Sequence, residues 1–246
     1  MIRSRLVPLA LFGLLGLAAC TSTSSEASSA DGVAGADLPL PTIGLGSEIG
    51  QISGGADVRA IDTGSVESIV MIGDSITVGS QPLLEEQFDQ LGFADVTIVA
   101  QNSKRIAQDI SDNPSGADIA AFVAGDSGRA GDEQLWIVAL GTNDISAYGS
   151  VDDIVGQMET LLLSVPADAP LVWVNTYFEG RPEDTAEVNT AIEQIVGSRS
   201  NAVVGRWSEI APSDGVLSGD GVHPNSDGAK VFAALVTTTV ADFLGR

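Results

Sequence analysis

The chain has 246 residues, 33 of them acidic and 11 basic, for a formal net charge of −22. Such a surface repels phosphate backbones and anionic headgroups, which argues against nucleic-acid binding and against attachment to lipid through basic patches. With 44% hydrophobic residues one sizeable core can be buried, while a single cysteine and a single histidine exclude internal disulfides and any metal site not built almost wholly on carboxylates.

In chain order, the first feature is Arg3 and Arg5 followed by an apolar run, Leu6–Ala19, that ends in small residues. This is the layout of a secretory signal peptide, and the run is shorter than the ~20 residues that span a bilayer comfortably. Leu17-Ala18-Ala19-Cys20 resembles the bacterial lipobox. That resemblance implies cleavage before Cys20, a diacylglycerol on its thiol and a lipid-anchored chain on the extracytoplasmic face of the cell membrane. The alternative is an ordinary signal peptide with an incidental cysteine. Residues 20–57 are rich in Ser, Thr, Gly, Ala and Pro, with no hydrophobic period, and read as a flexible tether. Gly44–Gly50 lacks the spacing of a dinucleotide loop, and no strong strand precedes it.

Residues 58–246 form the expected folded domain. Short β-branched runs predict strands at Ser68–Ile72, Val96–Ala100, Leu135–Leu140, Leu171–Asn175 and Ala202–Val204. Helical periodicity predicts Pro82–Leu91, Ala117–Val123, Val151–Leu163, Thr185–Val196 and Ser226–Leu244. Asp152 and Asp153 suit a first helical turn, and Asn225 or Ser226 is the candidate cap of the last helix. Five apolar strands alternating with helices predict an α/β fold: a five-stranded parallel sheet covered on both faces, a three-layer α/β/α sandwich. Ligands of such sheets bind at the carboxyl ends of the strands.

Three short motifs fall at or beyond strand ends. Gly73-Asp74-Ser75 follows the first strand and places a serine at a turn into a helix, where backbone N–H groups favour negative charge. It is not G-x-S-x-G, and by itself is also what a helix-capping serine looks like. Gly141-Thr142-Asn143-Asp144 follows the third strand. An asparagine amide there can donate to an oxyanion without supplying charge, or simply make an Asx turn. Asp220-Gly221-Val222-His223-Pro224 precedes the last helix and sets the lone histidine three residues after a carboxylate able to hold its tautomer. A surface-loop histidine is the alternative.

Taken together, in this order and spacing, the motifs resemble the SGNH (GDSL-type, flavodoxin-like) hydrolase family over about residues 68–246. The resemblance implies Ser75 as nucleophile, His223 as general base and Asp220 as its orienting carboxylate. It implies an oxyanion hole made from the Ser75 N–H, the Asn143 amide and a backbone N–H after the second strand. The family has a glycine at that last position. Here the stretch Gln101–Ile106 has none, and Ser103 is the best match. A serine keeps the N–H, but the geometry depends on whether the position uses φ > 0.

Asp74 and Asp144 are read as structural acceptors of backbone N–H groups. Lys104 and Arg105 are read as an exposed charged turn, with binding of an acidic substrate group as the alternative. Tyr177 and Phe178, and with them Arg181, follow the fourth strand and are candidate substrate contacts or loop packing. The expected activity is a serine esterase acting on small-molecule or glycan esters through an acyl-enzyme, with no cofactor and no metal. His223 must start neutral, so activity should fall in acid. The alternatives are an O-acyltransferase acting on cell-envelope glycans and a non-catalytic glycan-binding lipoprotein.

Overall fold

The structure, a computed structural model, describes residues 66–127 and 133–246. The signal peptide, Cys20 and the tether predicted at 20–57 lie outside the described residues. Five strands form one parallel sheet in the order β2-β1-β3-β4-β5: β1 (Ser68–Gly73), β2 (Asp95–Ala100), β3 (Gln134–Ala139), β4 (Leu171–Val174) and β5 (Ala202–Gly205). Between them run α1 (Ser75–Gln90), α2 (Gly116–Ser127), α3 (Val151–Leu162) and α4 (Pro182–Gly197). After β5 come a single turn, α5 (Trp207–Ile210), and the closing α6 (Ser226–Leu244).

The central strands β1, β3 and β4 are buried on both faces and divide their side chains by parity, while the edge strands β2 and β5 are partly exposed. Ile69, Met71, Leu135, Ile137, Val172 and Val174 pack under α1 and α6, which contribute Leu84, Phe88, Phe232 and Val236. Val70, Ile72, Trp136, Val138, Leu171 and Trp173 face the opposite way, under Ala120 of α2, Met158 and Leu161 of α3 and Val188 and Ile192 of α4. This is the three-layer arrangement expected from the alternation of strands and helices.

The main departure is the start of α1. The sequence suggests a helix from Pro82, because proline favours a first turn. The helix instead begins at Ser75 and carries Pro82 inside it. Asp74 caps it by accepting the Ile76 N–H at 3.0 Å, and Ile76, Thr77, Ser80, Leu84 and Phe88 are buried along it. Capping and burial outweigh the local penalty of the proline. At the other end of the chain Asn225, not Ser226, caps α6, accepting the Asp227 and Gly228 N–H groups.

The strand order reverses between β1 and β3. The chain leaves β1 toward β2 on one side, then returns to lay β3 on the other. The crevice at such a switch point is where open α/β sheets bind ligands. Ser75 follows β1 and Asn143 follows β3, so the two flank it.

Candidate active site

Gly73 is required by close approach. A Cβ there would meet the Thr77 side chain at 2.1 Å, so only glycine lets β1 turn directly into α1. That turn makes Ser75 the first residue of α1, where its N–H has no intrahelical acceptor. The Ser75 hydroxyl lies 2.9 Å from His223 Nε2. His223 Nδ1 lies 2.8 Å from Asp220 Oδ2. With the imidazole proton on Nδ1, the ring donates to Asp220 and Nε2 accepts from Ser75.

The histidine loop is built to hold this order. Asp220 Oδ1 accepts the N–H groups of Val222 and His223, each at 3.0 Å, leaving Oδ2 for the ring. These two backbone donors, then the ring, hold the Asp220 carboxyl down at about 2, so it stays ionised at neutral pH. Gly221 takes φ +68 between them, and a Cβ there would strike the Glu179 carboxylate at 2.8 Å. The Glu179 N–H donates to the Gly221 carbonyl at 2.9 Å, tying the loop after β4 to the histidine loop.

Ser103 occupies the left-handed region, with φ +61. This is the conformation a glycine adopts freely, and it costs a serine roughly 1–2 kcal/mol. Its neighbours over-determine it. The Gln101 N–H donates to Gly73 O at 3.2 Å, and Asn113 Nδ2 donates to Asn102 O at 2.8 Å. Lys104 is not an exposed turn residue but 1% exposed. Its Nζ donates to Asn113 Oδ1 and Pro114 O at 3.1 and 2.6 Å, and burial lowers its pKa. Arg105 is half-buried, and its Nε donates to the Asn143 carbonyl at 3.0 Å. The basic pair therefore ties down the loop, a role missed because each group bonds to one backbone carbonyl and one side-chain amide oxygen, neither of which charge patterning reveals. Ser103→Gly is expected to leave kcat within ~3-fold of the parent, because the left-handed geometry is already present. Ser103→Val, whose branched Cβ resists φ > 0, should cost at least ~1 kcal/mol in a urea melt and lower kcat with it.

Asn143 sits in a 3-10 turn, Thr142–Asp144. Its amide nitrogen donates to Lys104 O at 3.1 Å and to Asp74 Oδ2 at 3.4 Å. The structure thus brings Ser75, Ser103 and Asn143 onto interlinked segments at one end of the sheet. Tyr177 packs against the core on the α1–α6 side. Phe178 is half-buried beside Gly180, and Arg181 is engaged with Ser146 and Asp184. Among the described residues no three His, Cys, Asp or Glu side chains gather where they could hold a metal ion.

Asp74 and Asp144 are both buried, and desolvation raises each carboxyl to about 6 from the ordinary 3.8. Asp144 accepts the Ile106 N–H on both oxygens at 3.3 Å and the Tyr148 hydroxyl at 3.2 Å. As sequence reasoning held, both carboxylates accept backbone N–H groups. Between these two values the folded chain binds more protons than the unfolded one. Stability therefore falls as pH rises through that window and stays lower above about 6, by roughly 3 kcal/mol per group. Asp144→Asn should remove about half of the loss of stability between about pH 4 and pH 7, leaving Asp74's share, read by urea denaturation at both.

The five-stranded parallel sheet carries a Ser–His–Asp chain of hydrogen bonds beside its switch point, without a G-x-S-x-G elbow, which defines an α/β class of its own. More narrowly, residues 71–231 match the GDSL-like lipase/acylhydrolase family, and the chain belongs to that family. No curated protein matches it significantly. Among solved structures, the chain is similar to the C-terminal catalytic domain of peptidoglycan O-acetyltransferase A from Streptococcus pneumoniae, in a structure with a methylsulfonyl adduct. Identity is 17% and the TM-score 0.55, with 73% of this chain and 95% of that one covered. A family 3 carbohydrate esterase from Clostridium thermocellum gives 17% identity and a TM-score of 0.55 over 73% of this chain and 97% of that one. The psychrotrophic esterase EstA from Pseudoalteromonas sp., inhibited by monoethylphosphonate, gives 14% and 0.57 over 73% and 100%. At these identities the likeness shows the fold.

Proposed function

We propose that this protein is an extracytoplasmic, lipid-anchored serine esterase that cleaves short acyl esters through an acyl-enzyme. The observation that carries this reading is the unbroken chain Ser75 Oγ, His223 Nε2, His223 Nδ1, Asp220 Oδ2, with links of 2.9 and 2.8 Å. In it, Ser75 Oγ attacks the acyl carbonyl while its proton passes to His223 Nε2. The ionised Asp220 stabilises the imidazolium. The oxyanion is held by the Ser75 N–H, the Ser103 N–H and the Asn143 amide, whose N–H toward Asp74 Oδ2, a long 3.4 Å bond, is shared with the oxyanion as a three-centre bond. As the tetrahedral adduct collapses, the ester C–O bond breaks and His223 returns the proton to the leaving alcohol. Water then enters by the same steps and frees Ser75.

The side chains of His223 and Asp220 are 46% and 50% exposed. So open a site suits a bulky alcohol such as a glycan, and a short acyl group needs no tunnel. The same openness favours a second reading, O-acyl transfer, in which a glycan hydroxyl intercepts the acyl-enzyme in place of water. The fold shared with a peptidoglycan O-acetyltransferase and a carbohydrate esterase fits both readings. Tyr177 and Phe178 are the proposed substrate contacts on the β4 side. Lipidation at Cys20 would hold the enzyme beside envelope glycans. Incubation of the full chain with p-nitrophenyl acetate, with and without a soluble envelope oligosaccharide, tests the reading. Free acetate identifies a hydrolase and acetylated oligosaccharide a transferase. Absence of turnover in both would leave a non-catalytic protein.

A further inference from the structure

Asp74 is 1% exposed and carries its carboxylate without an ion-paired lysine or arginine among the described residues. As a helix cap it is a costly choice, because a serine would accept the same N–H without burying a charge. Its second oxygen accounts for the choice. Oδ1 accepts the Ile76 N–H at 3.0 Å, in the first turn of α1, next to the Ser75 N–H. Oδ2 accepts from Asn143 Nδ2 at 3.4 Å, across the gap between β1 and β3. The nearby Thr142 side chain favours the charged form of the same carboxylate. One rigid group thus touches two of the three segments that bear the proposed oxyanion donors, and Lys104 O, next to Ser103, steadies the same amide from the third at 3.1 Å.

We propose that Asp74 is a positioning residue for acyl transfer, its two oxygens fixing the Ser75 N–H and the Asn143 amide at one spacing. The inference rests on the acyl-enzyme reading above. It assigns Asp74 a role beyond capping, since a cap alone would leave Asn143 indifferent to it. Asp74 acts through Asn143 and does not touch the reacting atoms.

A double-mutant cycle on p-nitrophenyl acetate tests this. Asp74→Ser keeps an acceptor for the Ile76 N–H and removes the bond to Asn143. It should lower kcat by ~10–100-fold with KM moved less than ~3-fold, and Asn143→Ala should lower kcat by ~10²–10³-fold. The double variant should fall within ~3-fold of Asn143→Ala, since the amide through which Asp74 acts is already gone. Asp74→Asn, which keeps one oxygen and turns an NH₂ toward Asn143, carries the same cycle if the serine variant does not fold. Losses that multiply in the double variant, or full activity in both Asp74 variants, would overturn the inference while leaving the acyl-enzyme reading intact. A wild-type chain without turnover would overturn both.

Discussion

His223→Ala is expected to lower kcat on p-nitrophenyl acetate by ~10⁴–10⁶-fold. The chain has one histidine, so no second imidazole can take over. The Ser75 hydroxyl loses the acceptor 2.9 Å away and must attack as a neutral alcohol. The fold should hardly notice, because the ring is about half exposed and its main-chain bonds remain. Combining His223→Ala with Ser75→Ala should cost little more than either alone, as expected of groups that act as a unit. Equal stability beside a collapsed kcat separates a chemical role from a structural one.

Gly228→Ala should damage both stability and activity. A Cβ at this first-turn position of α6 would lie 1.9 Å from the Val216 carbonyl oxygen and 3.1 Å from Pro224 Cβ. The nearest atom is backbone and cannot rotate aside. Val216 O also accepts the Asn225 N–H at 3.0 Å, and Ser218 donates to His223 O at 2.7 Å. Moving that carbonyl therefore moves the histidine loop. The cost should reach ~3 kcal/mol or more in urea denaturation, with kcat falling as the Ser75–His223 bond loses alignment. Gly156, on α3 with open space around its Cβ position, is the control: its alanine variant should be stabilised by ~0.5–1 kcal/mol.

The centre of the sheet was readable because both faces of β1, β3 and β4 are covered, so Ile69–Ile72, Leu135–Val138 and Leu171–Val174 stand out as apolar runs. The start of α1 was hidden. Ser75-Ile76-Thr77-Val78 looks extended by composition, and only burial and the Asp74 cap make it helical. The one-turn α5 is shorter than any periodicity can reveal. At the site, Ser75, Asn143, Asp220 and His223 carry their chemistry in their side chains and could be named from motif order. What fastens them could not. Lys104 O, Gly221 O and Gly73 O act through the backbone. Lys104 Nζ and Arg105, read from charge alone as an exposed turn, turn inward to carbonyl oxygens. The left-handed Ser103 likewise reflects the bonds around it, not its own preference.

The proposed acyl-enzyme requires Ser75 to carry the covalent adduct. Treating the full chain with an ethyl fluorophosphonate probe and mapping the adduct by peptide mass spectrometry tests it most directly. One phosphonylated residue is expected, Ser75, with loss of p-nitrophenyl acetate turnover in proportion to labelling and no adduct in Ser75→Ala. An adduct confined to another residue, or undiminished turnover in Ser75→Ala, would contradict it.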